Sequence, residues 1–231
     1  MAKYEIESIR TIPLFASLTD EELHYVGNKL VVKRFQKNEI ILQEEDTSEY
    51  MYIILNGKVK VIQATEDGKE ILLAIHQSGD FFGEMSLIDG KTSPATVMAT
   101  ENSTAAIISK KDFYSLIETQ RKVLDNLLLI LCSRHRESWE KIQMLNYKNA
   151  SHRLKILFLM LSDKYGEKTP EGITINMKLT HQEIAEMTGM TRETVTRVID
   201  RWQREGGINV LKNKFIHLSA NFLTEGFKPL Y

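Results

Sequence analysis

The stretch from Thr180 to Arg204 limits what this chain can fold into more than any other part of it. Thr180-His-Gln-Glu183 reads as a capping box, in which a threonine hydroxyl and a glutamate carboxylate satisfy each other's backbone N–H groups and start a helix. Ile184 and Ala185 lie inside that helix, and Gly189 ends it by supplying the left-handed backbone of a tight turn. Thr191 caps a second helix that begins at Arg192 and runs through Trp202. A small Ala185 suits a point where two helices cross closely, and Ile184, Met190, Val195 and Val198 supply the apolar face between them. Arg192, Glu193, Thr196 and Arg197, with Thr194 beside them, are left outward near the start of the second helix.

Such an arrangement is a helix-turn-helix, and its chemistry points to double-stranded DNA. Arginine can bond guanine O6 and N7 together, and glutamate can accept from cytosine N4. Helix N-termini and the Thr180, His181 and Thr191 side chains are placed for phosphate. The competing reading of Glu193 and Arg197 is an i,i+4 ion pair on a solvated helix face. Downstream, two short strands around Ile208–Val210 and Phe215–Leu218 flank Lys212 and Lys214, a hairpin wing with a basic tip for the DNA backbone.

The charge distribution agrees with this placement. Formal net charge is −1, but residues 1–149 hold 18 basic against 22 acidic side chains, and residues 150–231 hold 12 against 9. The basic excess lies where a phosphate-binding surface needs it.

Upstream the texture is different. Thr19-Asp-Glu-Glu22 is a second capping box and opens a short helix. From about Val31 to Ser109 the pattern is β: Lys58-Val-Lys-Val61 alternates outward lysine with inward valine. Asp67-Gly68 suits a type I′ hairpin turn into Glu70–Ile75. Turn signals at Asn56-Gly57, Ser78-Gly79-Asp80 and Asp89-Gly90 divide the region into many short strands, as in a sandwich or roll. Ser109 caps further helix that continues, with a break near Gln120, to about Tyr147.

Within that helix Leu124, Leu128, Leu131, His135, Ser138, Ile142 and Leu145 follow the alternating steps of four and three that mark a coiled-coil seam. The seam predicts a homodimer, against the alternative of a helix packed on its own domain. A new helix is expected from Arg153 to about Lys164, then a loop over Gly166–Pro170 and a strand over Ile173–Met177. The fold class is therefore α+β, with an effector-sensing β-roll over 1–110, a dimerisation helix region over 111–148 and a winged-helix DNA-binding domain over 149–231.

Other function classes are disfavoured. No apolar run approaches the roughly 20 residues of a membrane span, and the start of the chain carries acids without an apolar signal segment, so the expectation is a cytoplasmic protein with no membrane partner. One cysteine, Cys132, allows no intrachain disulfide. A cupin-like metalloenzyme on the β region needs several converging histidines, and only His76 lies there, with His24 ahead of it. No nucleophile–base signature or phosphate-cradling glycine motif is present, so no enzyme, no catalytic residue and no metal site are expected.

In order along the chain, the opening from Pro13 to Leu23, the segments Tyr52–Gly57 and Gly79–Leu87, and the pairing of Gln182-Glu-Ile-Ala185 with Thr191–Arg197 resemble the Crp–Fnr family of catabolite-activator-like bacterial transcription regulators. The resemblance implies a cyclic-nucleotide-binding-type β-roll (jelly roll), a homodimer built on the long helix, and a two-fold operator. Arg192, Glu193 and Arg197 match the family's base-contacting positions, which implies a TGTGA-type half-site. RNA polymerase is a further partner if the chain activates transcription.

The resemblance also implies an effector pocket. It comprises Gly83, Glu84, Met85 and Ser86, then Ser93, and finally Ser138 and Trp139 near where the family contacts the adenine base. Gly83 and Glu84 match the family's glycine and ribose-binding glutamate. Ser93-Pro94-Ala95 stands where Arg-Ser-Ala or Arg-Thr-Ala is expected, and serine cannot give a phosphate the charged bidentate contact of arginine. Lys91 is the nearest substitute cation. The expected effector is a small molecule other than cyclic AMP, with cyclic nucleotide and haem as the alternatives; His76, His135 and Cys132 are the candidate haem ligands. One cysteine cannot hold the iron–sulfur cluster of other members.

Overall fold

The computed structural model describes residues 6–64, 70–211 and 215–224 and divides into two compact units, Met1–Arg134 and His135–Tyr231. The dividing point falls inside a single long helix.

The first unit starts with helix α1 (Ile6–Arg10), a 3-10 turn at Pro13–Phe15 and helix α2 (Asp20–Gly27). Thr19 forms the full capping box with Glu22. Eight strands follow: β1 (Val31–Phe35), β2 (Ile40–Leu42), β3 (Tyr50–Asn56), β4 (Lys58–Ala64), β5 (Glu70–Gln77), β6 (Phe81–Phe82), β7 (Thr96–Ala99) and β8 (Ser103–Ser109). They form two antiparallel four-stranded sheets in the orders β1-β8-β3-β6 and β2-β7-β4-β5. β4 and β5 pair as the hairpin that the sequence predicts, although Asp67-Gly68 itself lies outside the described residues. Asp89-Gly90 does not separate two strands. Glu84–Asp89 forms helix α3, and Gly90 ends it with φ +71°.

Successive side chains of a strand point to opposite faces, and β3 buries both. Met51 and Ile53 join Phe81, Ala106 and Ile108 against Leu14, Phe15, Leu23 and Val26 of the N-terminal helices. The other face turns inward: Ile54 packs with Leu42, Val59, Phe82 and Val97, and Tyr52 stacks on Phe82 with ring centroids 5.0 Å apart. A register shift between Val61 and Ile62 interrupts the Lys–Val alternation, so Val59 and Ile62 are the buried residues of β4.

Helix α4 (Lys110–Thr119), capped by Ser109, ends at the expected break at Gln120. Helix α5 (Arg121–Asn146) then begins by burying Val123 and Leu127 in the first core. Asn149 accepts from the backbone N–H groups of Ser151 and His152 and caps helix α6 (Ala150–Tyr165), which therefore starts at Ala150 and not at Arg153.

In the second unit the expected loop after α6 is a strand instead. β9 (Gly166–Thr169) pairs with β10 (Gly172–Ile175), which pairs with β12 (Ile216–Ser219), which pairs with β11 (Ile208–Val210). The polar Gly-Glu-Lys-Thr sequence hides this strand because it is an exposed sheet edge with no apolar alternation to display. Helices α7 (His181–Thr188) and α8 (Arg192–Arg204) lie between β10 and β11, and α9 (Ala220–Thr224) follows β12. Trp202 of α8 packs edge-on against Phe222, and its ring also meets Phe158 of α6 at 6.1 Å.

Candidate nucleic-acid interface

Local chemistry builds the α7–α8 pair as the sequence requires. Thr180 Oγ1 accepts from the Glu183 N–H while the Glu183 carboxylate accepts from the Thr180 N–H at 2.7 Å, which completes the capping box. Gly189 closes α7 with φ +62°. A Cβ there would meet nothing closer than 3.7 Å, so positive φ is what calls for glycine, not lack of space. The turn is fixed by a backbone bond from Met190 N–H to Ala185 C=O. Ile184, Ala185, Val195, Val198, Ile199 and Trp202 are buried, and Met190 is half-buried.

That burial leaves one side of α8 in solvent. Arg192, Glu193 and Arg197 are exposed, Thr194 and Thr196 half-buried. Arg192, Glu193, Thr196 and Arg197 line a shallow open groove together with Asp200 and Arg204. Asp200 and Arg204 escaped the sequence reading, although positions 193, 196, 197, 200 and 204 follow one helical face. Among the described residues no ion pair joins Glu193 to Arg197, and both side chains are exposed. Two side chains expected on phosphate have local duties: Thr180 Oγ1 and Thr191 Oγ1 both cap helices. His181 Nδ1 lies 2.8 Å from Thr196 Oγ1 and ties the start of α7 to the groove. Lys212 and Lys214 lie outside the described residues, while β11 and β12, which flank them, pair in register.

Arg153 of α6 was not singled out by the sequence, yet it bonds the Thr188 carbonyl at 3.0 Å and the Tyr147 carbonyl at 2.7 Å. It thus ties the C-terminus of α7 to the segment just after α5.

Along α5, Leu128, Ile142 and Leu145 are exposed at 49%, 60% and 48%, and His135 and Ser138 are exposed as well. Leu131 packs partly on the first core, and Leu124 is half-buried. The predicted seam is therefore largely open to solvent in the single chain. Trp139 is exposed and lies with its ring 4.5 Å from that of His135.

In the first unit the segment around Gly83 has a geometry of its own. Gly83 has φ +85°, and a Cβ there would meet the Tyr50 carbonyl oxygen at 2.8 Å. Glu84 and Ser86 are buried and Met85 is exposed. The Glu84 carboxylate accepts from Arg134 Nη1 at 2.9 Å, and Arg134 Nη2 donates to the Phe81 carbonyl at 2.7 Å. Sequence reasoning missed Arg134; an arginine beside the heptad seam was the available signal. Ser86 Oγ is buried with no hydrogen-bond partner among the described residues. Ser93 is buried too, but its hydroxyl donates to the Ala95 carbonyl at 2.8 Å. Lys91 is exposed on the turn after Gly90.

Of the three candidate haem ligands, His76 is buried in the roll with its ring parallel to Phe82, and its Nδ1 lies 3.7 Å from the Asp80 carboxylate. His135 belongs to the second unit, and Cys132 is exposed.

Comparison with known proteins agrees with this division. A cyclic nucleotide-binding domain model matches residues 32–120, and a Crp-like helix-turn-helix domain model matches residues 152–224. The chain is 30% identical over 200 residues to a global nitrogen regulator of Synechococcus elongatus, covering 86% of this chain and 90% of that one. It is 28% identical over 198 residues to a cyclic AMP receptor protein of Thermus thermophilus, covering 86% and 88%. Among solved structures, a CooA variant from Carboxydothermus hydrogenoformans superposes with a TM-score of 0.72 at 25% identity, covering 83% of this chain and 84% of that one.

Proposed function

The chain belongs to the Crp–Fnr family of DNA-binding transcription regulators, and from that premise we propose that it acts as a homodimer on a two-fold, TGTGA-like operator under control of a small-molecule effector other than cyclic AMP. One observation carries the operator reading: Arg192, Glu193, Thr196 and Arg197 share an exposed groove while the opposite face of the same helix is buried. Arginine there suits guanine O6 and N7, and glutamate suits cytosine N4. A second copy, joined along the open face of α5, supplies the second recognition helix that a two-fold site requires. RNA polymerase is the further partner if control is positive. The reading assigns the chain no catalytic step.

The effector reading rests on Ser93. A cyclic phosphate at this site needs a cation, and the residue at the arginine position is a buried serine whose hydroxyl is spent on a backbone carbonyl. One similar protein is named a cyclic AMP receptor, which keeps that nucleotide as the second reading. Ser86 Oγ, buried and without a partner among the described residues, is the atom in this segment that a ligand hydroxyl or carboxylate would satisfy.

The test is a gel-shift titration of the full-length protein on the promoter region of its own gene, over a range of salt concentrations and with and without cyclic AMP. Sequence-selective retardation with affinity falling steeply as salt rises is expected. Equal binding to unrelated duplexes would overturn the operator reading, and a sharp gain in affinity with cyclic AMP would overturn the effector reading.

A further inference from the structure

The hydrogen bond of 2.8 Å between His181 Nδ1 and Thr196 Oγ1 joins the first residue of α7 to the middle of the reading groove. A threonine hydroxyl has one proton and two lone pairs, and a neutral imidazole has one donor and one acceptor nitrogen. Phosphate oxygens only accept, so wherever the operator reading sets a DNA phosphate against Nε2, the neutral ring keeps its hydrogen on that nitrogen. Nδ1 is then the acceptor, Thr196 gives its proton to it, and Oγ1 shows the groove lone pairs alone. In the imidazolium form both nitrogens donate. Nδ1–H then points at Oγ1, and the Thr196 O–H is released outward as a donor.

We propose that His181 sets the hydrogen-bonding polarity of Thr196, so that the base preferred opposite Thr196 changes when His181 gains a proton. This rests on the operator reading above. Lone pairs at Oγ1 suit the amino groups of adenine N6 and cytosine N4; an outward O–H suits guanine O6 and N7 or thymine O4. Histidine is the side chain that ordinarily changes charge between pH 5 and 8. Among the described residues, Arg192, Glu193, Arg197, Asp200 and Arg204 line the groove with Thr196, and Lys178 and Glu183 lie beside His181 in sequence. His181 is a positioning residue in this scheme, and Thr196 is the group that meets the base.

The test is an anisotropy competition with the full-length protein. The operator duplexes differ only at one symmetry-related base pair of each half-site and are compared at about pH 6 and about pH 8. The readout is the ratio of affinities between duplexes. Any effect of pH that acts on all duplexes alike cancels in that ratio.

At one position per half-site, acidification should shift the preference from adenine or cytosine toward guanine or thymine by roughly fivefold or more. Thr196→Val removes the hydroxyl at nearly constant size. It should abolish the shift while leaving the preferences at other positions intact. His181→Gln, which does not titrate, should give a preference that no longer moves with pH. A wild-type preference that is the same at both pH values overturns the proposal, and so does a shift that survives in both variants. Absence of base preference at every position and at both pH values would instead overturn the operator reading, and this inference with it.

Discussion

Arg134 Nη1 lies 2.9 Å from Glu84 Oε1, and the two side chains are only 21% and 7% exposed. The same guanidinium sits over the Phe81 ring at 4.3 Å and bonds the Phe81 carbonyl. Removing one partner of a buried ion pair strands the other charge away from water. Arg134→Ala should therefore destabilise the protein by about 3 kcal/mol. Glu84→Gln should cost less, because Arg134 keeps the Phe81 carbonyl and ring. Urea denaturation of the two variants checks the order; equal losses would mean that the charge pairing is not what matters.

Gly83 stands at the start of α3 with a backbone that L side chains rarely adopt, and the Tyr50 carbonyl faces the place where a Cβ would go. Both the conformational term and the clash oppose Gly83→Ala, and the blocking atom is backbone and cannot rotate away. A loss of about 1–3 kcal/mol in urea denaturation is expected. Gly90→Ala, with positive φ but open space around it, should cost less.

Arg192→Ala tests how the reading groove reads. An arginine bonded to one guanine should cost roughly 1–3 kcal/mol of discrimination at a single base pair per half-site. Binding to unrelated duplexes should change little. Uniform weakening on all sequences, with a shallower salt dependence, would place Arg192 on a phosphate.

How much of this was legible in advance depended on how local the determining chemistry is. Thr19, Ser109, Thr180 and Thr191 cap the helices read from their side chains alone, because a cap is decided within one helical turn. The outward set Arg192, Glu193 and Arg197 follows from the apolar stripe on the other side of α8. β9 was missed because an exposed polar edge strand shows no alternation, and α3 because six residues are too few for a helical period to stand out. Arg134 and Arg153 were missed for a different reason: their partners at Glu84 and Thr188 are distant in sequence, and only the fold brings them together.

Lys29 and Asp112 carry a pH dependence. The Lys29 ammonium, 2.9 Å away, and the Ser109 hydroxyl bond the Asp112 carboxylate and hold its pKa below the usual value. A folded-state pKa lower than the unfolded one stabilises above the ordinary carboxyl range, and that contribution disappears as pH falls through the folded value. Lys29→Met should therefore lower stability at neutral pH. The gap between wild type and variant should close as pH drops below about 4. Denaturant midpoints measured across that range give the answer, and a gap that stays constant would point to lost packing of the lysine stem in place of lost charge pairing.

The open face of α5 makes the last prediction, and its logic turns on exposure. Ile142 is 60% exposed in the single chain, so replacing it should alter the fold stability of one copy by no more than about 0.5 kcal/mol. If a second copy covers this face, Ile142→Glu sets two carboxylates against each other across the two-fold and takes apolar area out of the seam. Sedimentation should then show the dimer giving way to monomer, while the circular dichroism spectrum stays that of the folded chain. Operator affinity should fall with it, because one recognition helix grips a single half-site and loses the gain from linking two. A variant that stays dimeric and binds as before would place the interface elsewhere, and the exposed line from Leu128 through Leu145 would need another occupant.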